Sequence, residues 1–154
     1  MHNIILVEDN LNYQTIYSET FKEYEPQITV AKKFRNELEA ITYLETNRKS
    51  VHGVVTDLRI HAGPNQLFNP PLDTALPYGI QLLRHMSEAS LDSIPVIAYS
   101  QYLGKSRGSP SPTLLASQKA KADFPFLLDV VDTEPNPNSF VAKIVRTFLY
   151  HWNR

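Results

Sequence analysis

The stretch Asn3-Ile4-Ile5-Leu6-Val7-Glu8-Asp9 carries the reading of this chain: an unbroken apolar run followed at once by two acids. A run apolar throughout, rather than alternating, is what a parallel strand covered on both faces requires. Gly53-Val54-Val55-Thr56-Asp57-Leu58 repeats the arrangement, again placing a carboxylate directly after a buried strand.

Working outward, five runs of strand length stand at Asn3–Val7, Gln27–Ala31, Val51–Thr56, Ile94–Tyr99 and Phe126–Val131, most of them rich in β-branched residues. Between them the spacing turns helical. Tyr13, Ile16, Tyr17, Phe21 and Tyr24 form one stripe predicted to pack on the sheet, and Leu38, Ile41 and Leu44 form another. Ile80, Leu83 and Met86 continue the pattern, and Leu114 and Leu115 with Lys119 and Lys121 mark a weaker fourth helix. The last helix is the clearest: Phe140, Val141, Ile144, Val145, Phe148, Leu149 and Trp152 share one face, with Asn138 or Ser139 placed to cap its start. Such alternation predicts an α/β fold, a doubly wound five-stranded parallel sheet with about five helices, for which the flavodoxin-like strand order is 2-1-3-4-5. Two stretches read as loops, Ile60–Tyr78 and Gln101–Pro112, each broken by proline and glycine.

At 154 residues the chain is read as a single domain, 1–154, too short for a second full-sized output domain. Its net charge of -1 offers no general attraction to nucleic acid, so no nucleic-acid partner is expected. The absence of cysteine excludes disulfides, thiolate metal sites and thiol nucleophiles and fits a reducing, cytoplasmic setting. No run reaches the roughly 18 apolar residues of a membrane span, and the amino terminus has no basic leader, so neither export nor a membrane contact is expected.

In the expected strand order the first and third strands are neighbours, so Glu8, Asp9 and Asp57 converge at the carboxyl rim of the sheet, where α/β proteins bind ligands. Like charges so close resist joint ionisation unless a cation joins them. With neither cysteine nor paired histidines at hand, the donors are all hard oxygens, which points to Mg²⁺. A metal beside Asp57 would also let that carboxylate attack a phosphoryl group, because the charge developing on phosphate oxygens is neutralised. Taken singly these acids have plainer readings, as helix-starting residues or solvated strand ends.

Taken together, Ile4-Ile5-Leu6-Val7-Glu8-Asp9-Asn10, Gly53-Val54-Val55-Thr56-Asp57-Leu58, Gly79-Ile80-Gln81-Leu82-Leu83 and Ile94-Pro95-Val96-Ile97-Ala98-Tyr99-Ser100 resemble the response-regulator receiver (CheY-like) family. The resemblance runs from the amino terminus to about Ser100 and resumes in the final helix. It implies that Asp57 is the phosphoacceptor. It makes Asp9 a direct Mg²⁺ ligand, Glu8 a ligand through water, and the backbone carbonyl of Arg59 a further ligand. Ser100 takes the place of the hydroxyl residue that turns toward the phosphoryl group. Phosphorylation would add roughly -1.5 to -2 charges and three acceptor oxygens there, enough to draw in a neighbouring loop.

Two departures stand out. Receivers carry a lysine at the end of the fifth strand, just before a proline, to pair with the phosphoryl oxygens; here Val130-Val131-Asp132-Thr133-Glu134-Pro135 supplies none, and the place before the proline is acidic. That exchanges attraction for repulsion. Lys105 or Arg107 is a conceivable substitute, though solvated loop cations are the plainer reading. The second departure is the span of twenty-two positions between Asp57 and Gly79, an inserted segment that either covers the pocket, presents a partner surface or is inert. Of the scattered histidines only His61 stands near the expected pocket, and no zinc spacing occurs.

The expected function is a stand-alone receiver that accepts a phosphoryl group on Asp57 from a histidine kinase or phosphotransfer protein and signals to a downstream protein target by protein contact. The alternative is an atypical receiver used as a phosphorylation-independent interaction module. The chain is not expected to be an enzyme: an aspartyl-phosphate phosphatase needs a second acid two residues after the nucleophile, where Arg59 stands. A flavodoxin is disfavoured because the Glu8-Asp9-Asn10-Leu11 turn would repel a flavin phosphate. A homodimer through the last helix is an assembly that the resemblance brings with it.

Overall fold

In chain order the elements are β1 (His2–Val7), α1 (Leu11–Phe21), a 3-10 turn (Lys22–Tyr24), β2 (Ile28–Phe34), α2 (Glu37–Asn47), β3 (Gly53–Asp57) and α3 (Tyr78–Glu88). There follow β4 (Val96–Ser100), a two-residue pairing of β5 (Lys105–Ser106) with β6 (Ser109–Pro110), α4 (Pro112–Asp123), β7 (Leu127–Asp132) and α5 (Pro137–Trp152). The computed structural model describes residues 1–58, 78–100, 105–106, 109–110, 112–133 and 136–154. The five long strands form one parallel sheet in the order β2-β1-β3-β4-β7, the expected 2-1-3-4-5 arrangement.

Because side chains alternate across a strand, each strand feeds two cores. Ile4, Leu6, Val55, Ile97 and Val131 face α1 and α5, where they meet Tyr17, Phe21, Phe140 and Phe148. Ile5, Val7, Val54, Val96 and Ala98 face the other way and are covered from α2, α3 and α4 by Leu44, Met86 and Ala120, among others. Both faces of the central strands are dry, which accounts for their unbroken apolar character. At the amino ends of the strands Trp152 stacks between His2 (4.0 Å) and Phe148 (4.8 Å) and donates its indole N–H to the His52 carbonyl at 3.1 Å.

Local details differ from the spacing-based expectations. In α1 the sheet side is Gln14, Tyr17, Ser18 and Phe21, whereas Tyr13 and Ile16 are exposed. In α2 the buried line is Glu37, Ala40 and Leu44, and Leu38 points outward. A stripe counted from apolar residues alone misses polar side chains that find partners inside. Gln14 donates to the Glu8 and Phe34 carbonyls, and the Glu37 carboxylate, fully buried, meets the imidazole of His85 on α3. Burial pushes that carboxyl above its usual range, and His85 opposes the shift. The α5 cap is Asn136, not Asn138 or Ser139: its side chain accepts from the Ser139 N–H at 3.0 Å, and Pro137 takes the first helical position, which wants no N–H. The 101–112 stretch, read as a loop, contains the β5–β6 pairing and the first residue of α4.

Gly53 sits where β3 passes under α5. A Cβ there would lie 2.8 Å from a ring carbon of Phe148 and 3.3 Å from Ile4, and Phe148 is fully buried, with no room to give way. Gly53→Ala is therefore expected to cost about 1–3 kcal/mol of stability, the usual range for overpacking, read as a lowered urea midpoint with an unchanged m-value. An unchanged midpoint would contradict this packing.

Candidate functional site

The site forms where β1 and β3 end side by side. Val7 pairs with Thr56, so the next residues, Glu8 and Asp57, stand opposite each other at the rim, and the pleat turns both toward α1 and α5. Tyr99 pairs with Asp57 from the other side and shares that orientation. One oxygen each from Glu8, Asp9 and Asp57 lies within 4.8 Å of the others. Glu8 is only 2% exposed; Asp9 and Asp57 are half-buried.

The turn that carries the two acids is held from several sides. The Glu8 N–H donates to the Phe34 carbonyl at 2.8 Å, and the Glu8 carbonyl accepts from Gln14 Nε2 at 3.3 Å. The Arg35 guanidinium donates twice to the Asp9 carbonyl, at 3.2 and 3.1 Å. Asn10 then starts α1, its side chain accepting from the Asn12 and Tyr13 N–H groups. The side chain of Glu8 is equally fixed: Oε2 accepts from the Asn10 N–H at 3.0 Å and Oε1 from the Tyr99 hydroxyl at 2.7 Å.

Around the acids the cleft is lined by Tyr13, Tyr17, Tyr99, Ser100 and Thr133. Ser100 is buried at the end of β4, and its carbonyl accepts from the Thr133 N–H at 3.3 Å, which holds Thr133 at the mouth. Desolvation is the main electrostatic fact here. It pushes the Glu8 carboxyl up to about 8, with the Asp57 charge and the Asp9 side chain adding to the shift and the Asn10 and Tyr99 bonds opposing it. Burial likewise raises the phenols of Tyr17 and Tyr99 above the ordinary tyrosine value, and the Glu8 and Asp57 charges add to both.

Of the residues expected from sequence, Glu8, Asp9, Asp57 and Ser100 thus come together. Arg59, His61, Arg107 and Glu134 fall outside the described residues, as does most of the 60–78 stretch, and Lys105 stands in β5. Just after the last strand, Thr133 lines the cleft; among the described lining residues there is no lysine or arginine. Tyr13, Tyr17, Tyr99 and Thr133 were not singled out in the sequence as site residues. For Tyr99 a signal existed: a phenol in a strand buried on both faces must find a partner for its hydroxyl.

The donor set fits a hard divalent cation, since three carboxylate oxygens converge and, among the described residues, no nitrogen or sulfur ligand joins them. The raised Glu8 carboxyl makes a testable consequence for the metal-free protein. Between its ordinary value of 4.5 and about 8, the folded state keeps a proton that the unfolded chain has released, so this group's stabilising contribution is lost as pH rises through that window. In chelator, the melting temperature is expected to fall between about pH 5 and about pH 8, with added Mg²⁺ restoring more of it at the upper end. A melting temperature that rises steadily over that range, with no Mg²⁺ effect at its top, would contradict the burial of Glu8 among like charges.

No protein-family model matches the chain, and no curated protein sequence matches it closely. Solved structures do. The response regulator domain of Thermotoga maritima CheB is 12% identical with a TM-score of 0.69, covering 100% of this chain and 98% of its own. A response regulator receiver domain protein from Clostridium thermocellum is 13% identical with a TM-score of 0.66, covering 98% of this chain and 97% of its own. The signal receiver domain of a LuxO-type repressor protein from Vibrio parahaemolyticus is 15% identical with a TM-score of 0.64, covering 97% and 91%. At these identities the likeness is one of fold, and the fold of this chain is that of response-regulator receiver domains.

Proposed function

We propose that the chain acts as a receiver, accepting a phosphoryl group on Asp57 with Mg²⁺ held by Glu8, Asp9 and Asp57. The observation that carries this reading is the convergence of the three carboxylates beside the buried Ser100, at the carboxyl rim of a receiver-type sheet. Bound Mg²⁺ would supply neutralisation of the negative charge that builds up as a phosphoryl group meets the acids.

The chain's own residues do the rest. A carboxylate oxygen of Asp57 forms a bond to phosphorus while the donor's phosphorus–nitrogen bond breaks, and the electron pair returns to the imidazole of a phosphohistidine on a kinase or phosphotransfer partner. Asp57 is presented for this at the end of a rigid, fully paired strand. The Ser100 side chain, one residue beyond the Asp57 register partner, lines the same cleft and would turn its hydroxyl toward the phosphoryl oxygens, so that the modified state differs from the unmodified one at the start of the following segment. The readout would be a protein contact with a downstream target.

The missing lysine gives the second reading its support. With Glu134 before Pro135 in the sequence, and no lysine or arginine among the described residues that line the cleft, an acyl phosphate loses one stabilising partner, and the fold then serves as an interaction module without phosphorylation. The two separate in one experiment. Incubation with acetyl phosphate, or with beryllofluoride, in Mg²⁺ is expected to give one adduct per chain, mapped by mass spectrometry or ¹⁹F NMR to Asp57. Asp57→Asn and chelation should each abolish it. A protein that binds Mg²⁺ yet takes up neither reagent is the interaction module.

A further inference from the structure

Tyr99 is the one wholly buried tyrosine at the site, and the reading above gives it no task. Its ring is confined: Tyr17 meets it edge-on at 5.3 Å, Phe140 lies tilted at 5.5 Å, and Tyr17 and Phe140 close on each other at 4.8 Å. Its backbone is confined too, as the register partner of Asp57 and the acceptor of the Leu58 N–H at 2.8 Å. The hydroxyl therefore stands at a fixed point and donates to Glu8 Oε1 at 2.7 Å, across ninety-one residues of sequence.

Glutamate has one more rotatable bond than aspartate, and a long side chain used as a ligand must give up more rotamer freedom. Here the Asn10 N–H takes one oxygen and the Tyr99 hydroxyl the other. Both donors favour the charged form of the Glu8 carboxyl, and the 2.7 Å phenolic contact lies at the short side of the usual O–H···O range. We infer that Tyr99 is a positioning residue: its hydroxyl locks Glu8 in the orientation that turns it toward Asp9 and Asp57, and so sets the affinity of the rim for a divalent cation. The inference rests on the reading of this rim as a metal site.

Isothermal titration with Mg²⁺ of the wild type, Tyr99→Phe, Glu8→Ala and the double variant tests it. Tyr99→Phe, which removes only the hydroxyl, is expected to weaken Mg²⁺ binding on the order of tenfold, the scale of a hydrogen bond to a charged group. In the Glu8→Ala background the same substitution should change nothing further, because the hydroxyl acts through Glu8. Equal affinities for wild type and Tyr99→Phe overturn the role, and so does an equal loss in both backgrounds, which would mark simple packing. A wild type that binds no Mg²⁺ overturns the metal reading itself and this role with it. Should Tyr99→Phe not fold, the Tyr99 hydroxyl proton of the wild type is read by NMR. Slow exchange with water and a shift on adding Mg²⁺ support the role; rapid exchange and no shift overturn it.

Discussion

Burying a carboxylate among other carboxylates is the constraint around which this molecule is arranged. Glu8 is almost entirely out of water, Asp57 faces it across the strand pair, and Asp9 follows it in the chain. Without compensation that geometry is unfavourable, because desolvation and like charge both disfavour ionisation. The surrounding structure responds with fixed donors: a backbone amide and a phenol for the Glu8 carboxylate, and a guanidinium and a carboxamide for the carbonyls of the turn. So much local ordering around a costly cluster is what a preorganised cation site requires, and it is wasteful in a turn that only reverses the chain.

The scaffold makes this arrangement nearly inevitable once the strands pair. Parallel β1 and β3 end at the same height, and the period of two sends Glu8, Asp57 and Tyr99 to the same side. That side is also where α1 and α5 pack, so an aromatic group formed by Tyr17, Tyr99 and Phe140 lies directly beneath the acids. The charged rim and the dry core thus share a wall, and a change at one is felt by the other through side chains already in contact.

Much of this was legible before any coordinates. Unbroken apolar runs and the helical spacing between them identify the five long strands and a doubly wound α/β fold with about five helices; the order 2-1-3-4-5 comes from the flavodoxin-like pattern and the receiver resemblance, and in that order an acid placed just after β1 or β3 is at the shared rim. Partnerships between distant side chains were not legible. Tyr99 looks like core in a list of apolar residues, and only its distance to Glu8 gives it a role. Tyr13 and Ile16 fit the α1 stripe by count, yet Gln14 and Ser18 are the ones that turn inward, because polar groups with partners can outcompete apolar ones for a place at the sheet. The same is true of Glu37 and His85, a pair joined only by the packing of α2 on α3. That no lysine stands before Pro135 is read from the sequence, whereas the place of Thr133 at the mouth of the cleft is given only by the fold.

The convergence of Glu8, Asp9 and Asp57 on a single cation is tested most directly by adding Mn²⁺ in small amounts and following amide signals by NMR. Paramagnetic broadening should be confined to residues around 8–10, 57–58, 99–100 and 133, should vanish on adding excess Mg²⁺, and should spare the stack of His2, Trp152 and Phe148 at the other end of the sheet. Broadening spread evenly over the surface, or centred away from the ends of β1 and β3, would contradict the account.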